Sequence, residues 1–248
     1  MFADAVAKLT GSIFPIFYAY EREDGPIIGV SGTGFFVDDS GLFVTVDHSM
    51  NCAPAGSTYY YYGNLPDQLS QPPLEIERVA SDPGRDLFLG RVGRNHLRPV
   101  ELSGEAVRPG DSVCLSGYPM AEVSINAKGG FVANVRRYWQ PTFVIDETQA
   151  VVDDKVYDGY LVDHPCFSGM SGGPVFDVEG KVRGMAVATV TRSEPNLNGE
   201  PIVVRNGIVL DVEHIRAFVE QHRPTSASIG RQRRPVTGSQ DPARAGSR

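Results

Sequence analysis

The sequence predicts an all-β protein, a β-barrel or β-sandwich architecture that ends in one helix. Glycine (27 residues) and proline (18 residues) are plentiful in this chain of 248 residues, which suits many short strands joined by turns. Hydrophobic residues make up 41% of the chain and charged residues 21%, so a packed core is expected. The length allows one large all-β unit or two modest domains.

The first half of the chain alternates apolar runs with turn residues. Residues 2–9 are predicted to form one or two helical turns. The strands that we predict are at residues 12–20, 29–37, 42–46, 59–62, 74–79 and 86–89. Pro15 favours an edge position for the first strand. Residues 38–41 (Asp-Asp-Ser-Gly) form a hairpin turn, residues 64–73 a Pro-rich loop, and residues 96–107 an irregular joint.

The second half of the chain continues this pattern and closes with a helix. Its predicted strands are at residues 112–116, 130–138, 142–145, 160–163, 175–176, 181–190, 202–204 and 207–210. Asp211 is a suitable N-cap for a helix over residues 212–222, which carries Ile215 and Phe218 on one face. Residues 223–248 are poor in apolar side chains and are predicted to be a disordered Arg-rich tail.

Charge and cysteine usage narrow the possible partners. Residues 1–222 hold 17 Lys and Arg against 29 Asp and Glu, a net charge of −12, whereas residues 223–248 hold six Arg and one Asp, a net of +5. An acidic body argues against nucleic-acid binding. Three cysteines without metal-ligand spacing predict free thiols, no metal and no cofactor. Without a recognisable signal peptide or membrane span, we expect a cytoplasmic protein that does not bind membranes.

Three separate positions suggest nucleophilic catalysis, and each has a simpler explanation. Ser171 lies in Gly-Met-Ser-Gly-Gly-Pro, where glycines can expose a hydroxyl and aim backbone N–H groups at an oxyanion, or can form an ordinary turn. His48 follows a predicted buried strand and can equally be a core histidine. Asp86 opens Asp-Leu-Phe-Leu and can be a turn cap; Asp82, beside Pro-Gly, is its nearest rival.

The chain order His48, Asp86, Ser171 is the order found in the chymotrypsin fold. With these motifs, residues 10–220 resemble a trypsin-like serine peptidase, most similar to bacterial HtrA/DegP-type protease domains without a PDZ domain. The resemblance implies two six-stranded antiparallel β-barrels, at about residues 10–100 and 105–210, with the terminal helix at about 212–222. The peptidase domain would then span residues 1–222, and the substrate would be a protein or peptide.

The resemblance also implies a role for each site residue. Ser171 would be the nucleophile, His48 the general base and then acid, and Asp86 the carboxylate that orients the imidazole. The N–H groups of Gly169 and Ser171 would form the oxyanion hole. The substrate pocket would be lined by two segments, listed here in chain order: Pro165, Cys166, Phe167, Ser168, Val187, Ala188 and Thr189. Because Pro165 stands where trypsin-type pockets carry an acid, we expect a small or medium apolar P1 residue.

Asp47 departs from the pattern of the family that the chain resembles, which usually carries a small or amide residue before the histidine. Its carboxylate can disturb the neighbouring His48 or point away to solvent. This keeps two alternatives open beside an active endopeptidase. One is a trypsin-fold scaffold or chaperone module with little or no activity. The other is a latent protease activated by a regulatory protein partner. Arg231, Arg233 and Arg234 of the tail can bind an acidic partner or remain solvated.

Overall fold

Two β-barrels and two helices make up the part of the chain described by the computed structural model, which covers residues 1–23, 25–61, 73–125, 131–195, 198 and 200–223. The strands of the first barrel are β1 (Ile13–Arg22), β2 (Gly25–Phe36), β3 (Leu42–Val46), β4 (Thr58–Tyr61), β5 (Leu74–Asp82) and β6 (Leu87–Val92). They close in the order β1-β2-β3-β6-β5-β4. Aromatic side chains fill the barrel, and the rings of Phe14 and Phe36 stack 4.5 Å apart.

The second barrel and three further described strands lie in the second half of the chain. Its strands are β7 (Glu101–Leu102), β8 (Ser112–Gly117), β9 (Glu122–Ile125), β10 (Phe131–Asn134), β11 (Tyr138–Val152), β12 (Lys155–Val162), β13 (Pro174–Phe176), β14 (Lys181–Pro195) and β15 (Pro201–Asp211). Antiparallel pairing runs β13-β8-β11-β12-β15-β14, and β13 also pairs with β14, which closes a ring of six strands. β7 adds to β14 in parallel, while β9 and β10 form a separate hairpin. The predicted fold of two six-stranded barrels is confirmed.

Two helices cover the barrels. Helix α1 is Ala3–Leu9 and helix α2 is Val212–His222. Asp211 caps α2 as predicted, because its carboxylate accepts the Glu213 N–H at 2.8 Å. The apolar face of α2 is buried and contacts β6 of the first barrel and β14 and β15 of the second. None of the helices in the described part of the chain is long and apolar enough to span a membrane.

A long hairpin, β11–β12, is the largest difference from the sequence prediction. The predicted strands at 142–145 and 160–163 are only its barrel ends. The ladder continues to the pair Val152 and Lys155, joined by Asp153 and Asp154 with φ of 51° and 62°. Two left-handed residues in a two-residue loop are typical of a type I′ turn. Much of the distal β11 is exposed, so it lacks the apolar alternation from which strands are predicted.

Several other boundaries also differ. Pro15 is not at a sheet edge, because β1 pairs with β2 and β4 in a closed barrel; it lies just before the segment that pairs with β4. The strand predicted at 130–138 is β10 and the start of β11, the strands at 202–204 and 207–210 are one strand, and the joint at 96–107 contains β7. The loop at 64–72 and the tail from residue 224 lie outside the described residues.

Candidate active site

His48 and Asp86 lie at the same end of the first barrel because β3 and β6 are neighbours. The register pairs Val46 with Leu87, which places the residues after β3 opposite the residue before β6. The Asp47 N–H donates to the Asp86 carbonyl at 3.1 Å, and a short 3₁₀ turn, His48–Met50, then begins. Asp86 has φ of 58°, a left-handed conformation that is unfavourable for most residues. Two residues that are 38 positions apart in sequence therefore meet through the barrel register.

The His48 imidazole and the Asp86 carboxylate form a short hydrogen bond. The distance from His48 Nδ1 to Asp86 Oδ2 is 2.6 Å, and the His48 backbone N–H donates to Asp86 Oδ1 at 2.9 Å. The Asp86 side chain is fully buried, whereas the His48 side chain is 38% exposed. With Nδ1–H donating to the carboxylate, Nε2 of a neutral imidazole is the acceptor. This is the orientation that a general base needs.

The second barrel supplies two more donors to the same carboxylate. Lys155 Nζ lies 2.8 Å from Asp86 Oδ1, and the Tyr157 hydroxyl donates to Asp86 Oδ2 at 2.9 Å. Burial raises the pKa of Asp86, but the hydrogen bonds and charge of His48, together with the Lys155 hydrogen bond, outweigh it and lower the pKa to about 2. Burial and then the charge of Asp86 raise the pKa of Tyr157. At neutral pH the site therefore holds an ionised carboxylate and a neutral tyrosine.

Lys155 and Tyr157 were missed by sequence reasoning. They lie in the outer half of the β11–β12 hairpin, which was not predicted as strand. The signal that could have found them is Asp153-Asp154, a dipeptide that tolerates the left-handed conformation of a tight hairpin turn. Asp82, the rival of Asp86, is the last residue of β5 and supports the turn that follows, because its Oδ1 accepts the Arg85 N–H at 3.2 Å.

The Ser171 loop is attached to the first barrel through Thr33 of β2. The Thr33 N–H donates to the Ser171 carbonyl at 2.9 Å, and the Thr33 hydroxyl donates to the Gly169 carbonyl at 2.7 Å. The same hydroxyl accepts the Tyr118 N–H at 3.1 Å, so it joins both barrels. Thr33 is fully buried. The serine loop is therefore held against β2, which pairs with β3, the strand that leads to His48.

Glycines permit this close approach. A Cβ on Gly32 would lie 2.4 Å from Ser49 Oγ and 2.9 Å from the Ser171 carbonyl oxygen, so the residue after His48 and the serine loop meet at Gly32. Gly172 has φ of 83°, and a Cβ there would lie 2.2 Å from both the Thr33 carbonyl oxygen and Thr45 Oγ1. All four distances are below van der Waals contact, so glycine is needed at both positions.

The Ser171 hydroxyl has a long contact and is not bonded to His48. Its oxygen lies 3.5 Å from the Val187 carbonyl, beyond the usual range for an O–H donor. Among the described residues, which include both Ser171 and His48, no hydrogen bond joins the Ser171 hydroxyl to the His48 imidazole. Catalytic hydrogen bonds are often long in the absence of substrate and tighten when it binds.

Among the described residues, the backbone from Gly169 to Gly173 has two N–H groups without a protein acceptor. The N–H groups of Met170, Gly172 and Gly173 donate to carbonyls of Phe167, Ala186 and Met170 at 2.8–2.9 Å. Within the described chain, the intervening N–H groups of Gly169 and Ser171 have no acceptor. Gly169 itself has φ of 93°. This alternation gives two donors that can bind an anionic oxygen.

The two segments predicted to line the substrate pocket lie side by side. The Thr189 hydroxyl donates to the Cys166 carbonyl at 2.8 Å, and the Ser171 contact reaches Val187 on the same strand, β14. Val187 is buried, Pro165 and Ala188 are half-buried, and Phe167 and Ser168 are exposed. Burial raises the pKa of the Cys166 thiol to about 12, which disfavours the thiolate that a nucleophilic cysteine needs.

Asp47 is directed away from the imidazole. Its carboxylate accepts the Ser81 hydroxyl at 2.5 Å and the Asn51 side-chain amide at 2.7 Å. Within the described residues it makes no hydrogen bond with the His48 ring, and the side chain is 5% exposed. Asp47 therefore ties the 3₁₀ turn to β5. Among the described residues, no cluster of His, Cys, Asp or Glu is arranged to hold a metal ion.

Comparison with known proteins assigns the class. The chain belongs to the trypsin-like peptidase domain family, whose model matches residues 32–185. Curated relatives include two probable periplasmic serine endoproteases described as DegP-like. The one from Rhizobium meliloti is 26% identical over 209 residues, 83% of this chain and 36% of its own length. The one from Bartonella henselae is 25% identical and covers 83% and 37%. The chain thus spans about a third of the length of these relatives.

Solved structures share the fold. The Rv3671c protease from M. tuberculosis in its active form has a TM-score of 0.59 and 20% identity, covering 90% of this chain and 85% of that one. The inactive form has a TM-score of 0.56 and 21% identity, covering 89% and 93%. At this identity the likeness supports the architecture alone.

Proposed function

We propose that this protein is a serine endopeptidase in which Ser171, His48 and Asp86 form the catalytic triad. The observation that carries the proposal is the 2.6 Å bond between His48 Nδ1 and the buried carboxylate of Asp86, beside a serine loop held to the same barrel by Thr33. A buried, ionised carboxylate bonded to Nδ1 suits a histidine that acts as a general base. It orients the imidazole and stabilises the imidazolium that forms when Nε2 takes a proton.

In the proposed mechanism the peptide bond is cleaved in two stages. Ser171 Oγ attacks the scissile carbonyl carbon while His48 Nε2 takes the hydroxyl proton. The resulting oxyanion accepts hydrogen bonds from the free N–H groups of Gly169 and Ser171. His48 then gives its proton to the leaving amine, and the C–N bond breaks to leave an acyl-enzyme. Water, deprotonated by His48, attacks the ester carbon; the bond from that carbon to Ser171 Oγ then breaks, and His48 returns the proton to Oγ.

The proposed pocket supports a preference for small or medium apolar P1 residues. Its two walls, residues 165–168 and 187–189, contribute Pro, Cys, Phe, Ser, Val, Ala and Thr, and none of these carries a charge. A basic P1 side chain would lack a counter-ion from these residues. The Thr189 hydroxyl is occupied by the Cys166 carbonyl, which leaves the walls largely apolar.

A second candidate function follows from the contact of Ser171 with Val187. Because the Ser171 hydroxyl is not bonded to His48, the described geometry also suits a latent protease that is activated by a regulatory protein partner, or a scaffold with little activity. Asp47 gives no support to the inactive alternative, since its carboxylate is bonded to Ser81 and Asn51.

The compartment and the remaining partners stay predictions. Cys52, Cys114 and Cys166 are free in the structure, which suits the cytoplasm predicted from the sequence, whereas the curated relatives are named periplasmic. Cell fractionation with an antibody to the chain distinguishes the two locations. The net charge of −12 on residues 1–222 is the basis for predicting no nucleic-acid partner.

A peptide-library digest tests the proposal. The wild-type protein is expected to cleave after small or medium apolar residues, and Ser171→Ala is expected to lose cleavage by a factor of about 10⁶. Ser193→Ala, an exposed serine on β14, is the control for serine loss and is expected to cleave like wild type. Cleavage that persists in Ser171→Ala would refute the assignment. Wild-type cleavage that appears only with added cell extract would favour the latent protease.

A further inference from the structure

The tip of the β11–β12 hairpin packs against the turn that carries Asp86. The Val156 N–H donates to the Gly84 carbonyl at 3.1 Å, two residues before the carboxylate. On either side of Val156, the side chains of Lys155 and Tyr157 turn inward. The Lys155 side chain is 22% exposed and Tyr157 is 2% exposed. The hairpin therefore belongs to the second barrel but completes the surroundings of a residue in the first.

The Asp86 carboxylate accepts two hydrogen bonds from His48 and two from the β11–β12 hairpin. His48 supplies its backbone N–H and Nδ1, one to each carboxylate oxygen. Lys155 and Tyr157 supply the other two, again one to each oxygen. A buried carboxylate with four donors cannot rotate without breaking several bonds. The orientation that His48 depends on is thus fixed from both barrels.

We propose that Lys155 and Tyr157 are positioning residues for Asp86, and that the positive charge of Lys155 keeps His48 neutral to lower pH. This inference rests on the proposed function, because it gives the pair a role in setting when the base is available. Lys155 shares the carboxylate with His48, so an imidazolium forming on the other side meets a charge that is already partly neutralised. Protonation of His48 is less favourable in this arrangement than beside an unshared carboxylate.

The other charged and titratable groups described near His48 and Asp86 do not contact the Asp86 carboxylate, apart from Tyr157. From the His48 side, Asp47 is bonded to Ser81 and Asn51. Arg78 of β5 donates to the Asn51 side chain at 3.3 Å. In the hairpin, the charge of Asp153 acts on Tyr157 and raises its pKa, after burial and Asp86. Among these described neighbours, Lys155 is the cation that contacts the carboxylate.

Two substitutions at Lys155 separate charge from structure. Lys155→Gln keeps a hydrogen-bond donor without the charge, and Lys155→Arg keeps the charge. In Lys155→Gln, the acid limb of the kcat/KM profile is expected to move up by about one pH unit. Lys155→Arg is expected to keep the wild-type limb. Lys181→Met is the matched control, because it removes a surface lysine paired with Glu179 on the β13–β14 hairpin. A limb in Lys155→Gln that coincides with that of Lys181→Met overturns the role of the charge.

Tyr157→Phe tests positioning without changing charge. It removes one of four donors, so kcat at the pH plateau is expected to fall several-fold, with a smaller displacement of the acid limb than in Lys155→Gln. A wild-type kcat in Tyr157→Phe would overturn the positioning role of Tyr157.

A spectroscopic readout keeps the test independent of activity. The pH at which His48 is half protonated is followed by NMR of its ring protons in a Ser171→Ala background, with and without Lys155→Gln. An upward shift of about one pH unit supports the inference even if the protein hydrolyses no peptide. No shift overturns it, including when wild-type activity is normal. Failure of the protease assignment and failure of this inference are therefore distinguishable.

Discussion

Replacing Thr33 with valine should weaken both the joint between the barrels and the Ser171 loop. Valine has the shape of threonine but lacks the hydroxyl that donates to the Gly169 carbonyl at 2.7 Å and accepts the Tyr118 N–H at 3.1 Å. Because Tyr118 is buried, its N–H cannot turn to water instead, whereas the Gly169 carbonyl lies in a half-buried loop. Leaving a buried polar group unpaired costs about 1–3 kcal/mol, so the buried Tyr118 N–H predicts a loss of that size in the free energy of unfolding.

The same substitution should lower activity through Gly169. The Gly169 carbonyl and its free N–H belong to the same short loop, so releasing the carbonyl loosens one of the two proposed oxyanion donors. Loss of a whole donor costs about 10²–10³ in kcat, which sets the upper limit. Urea unfolding and kcat on a cleaved peptide measure the two effects. Thr33→Ser is the control, because it keeps the hydroxyl and removes only a methyl group, worth about 1 kcal/mol. Equal stability and equal kcat in the valine and serine variants would refute this account of Thr33.

Three further predictions concern other parts of the site. Gly172→Ala is expected to unfold at a much lower temperature, because its φ is 83° and the new Cβ would lie 2.2 Å from two oxygen atoms; a Tm within about 2 °C of wild type would contradict the tight packing. The pKa of Asp86 is about 2 in the folded protein, below its unfolded value, so the stability that its ionised form contributes is present above about pH 4 and lost as pH falls through 2. The difference in free energy of unfolding between wild type and Asp86→Asn should therefore narrow by about 2 kcal/mol from pH 5 to pH 2. A difference that stays constant over this range would exclude the linkage. Of the three thiols, exposed Cys52 should react fastest with a disulfide reagent in the native protein, half-buried Cys166 more slowly and buried Cys114 least; a Cys114 thiol that reacts as fast as that of Cys52 would contradict its burial.

Much of the fold could be predicted because most barrel strands are short apolar runs bounded by turn residues. The strand over Leu42–Val46 was predicted to the residue, as was the helix Val212–His222 with its Asp211 cap. The strand is buried along its whole length and stands out as a continuous apolar run, whereas the helix shows the apolar spacing of one buried face. The hairpin from Asp146 to Asp158 leaves the barrel and is held by its backbone ladder, which leaves little trace in the side-chain pattern.

The chain order of the candidate site residues could be predicted, but the residues that hold them in place could not. His48, Asp86 and Ser171 stand beside turn residues and glycines that are visible in the sequence, and the structure brings His48 and Asp86 into direct contact. Lys155 reaches Asp86 from 69 residues away through a strand register that local patterns do not define. The direction of Asp47 was open for the same reason, because Ser81 lies on another strand of the barrel.

Labelling with a fluorophosphonate probe tests the central assignment most directly, because the probe reacts only with an activated serine. The wild-type protein is expected to carry the phosphonyl group on Ser171, located by mass spectrometry of the digested protein. His48→Ala, which lacks the general base, should lose the label, and Ser193→Ala should keep it. Absence of label on Ser171 in the wild type, or equal labelling in His48→Ala, would contradict the proposed triad.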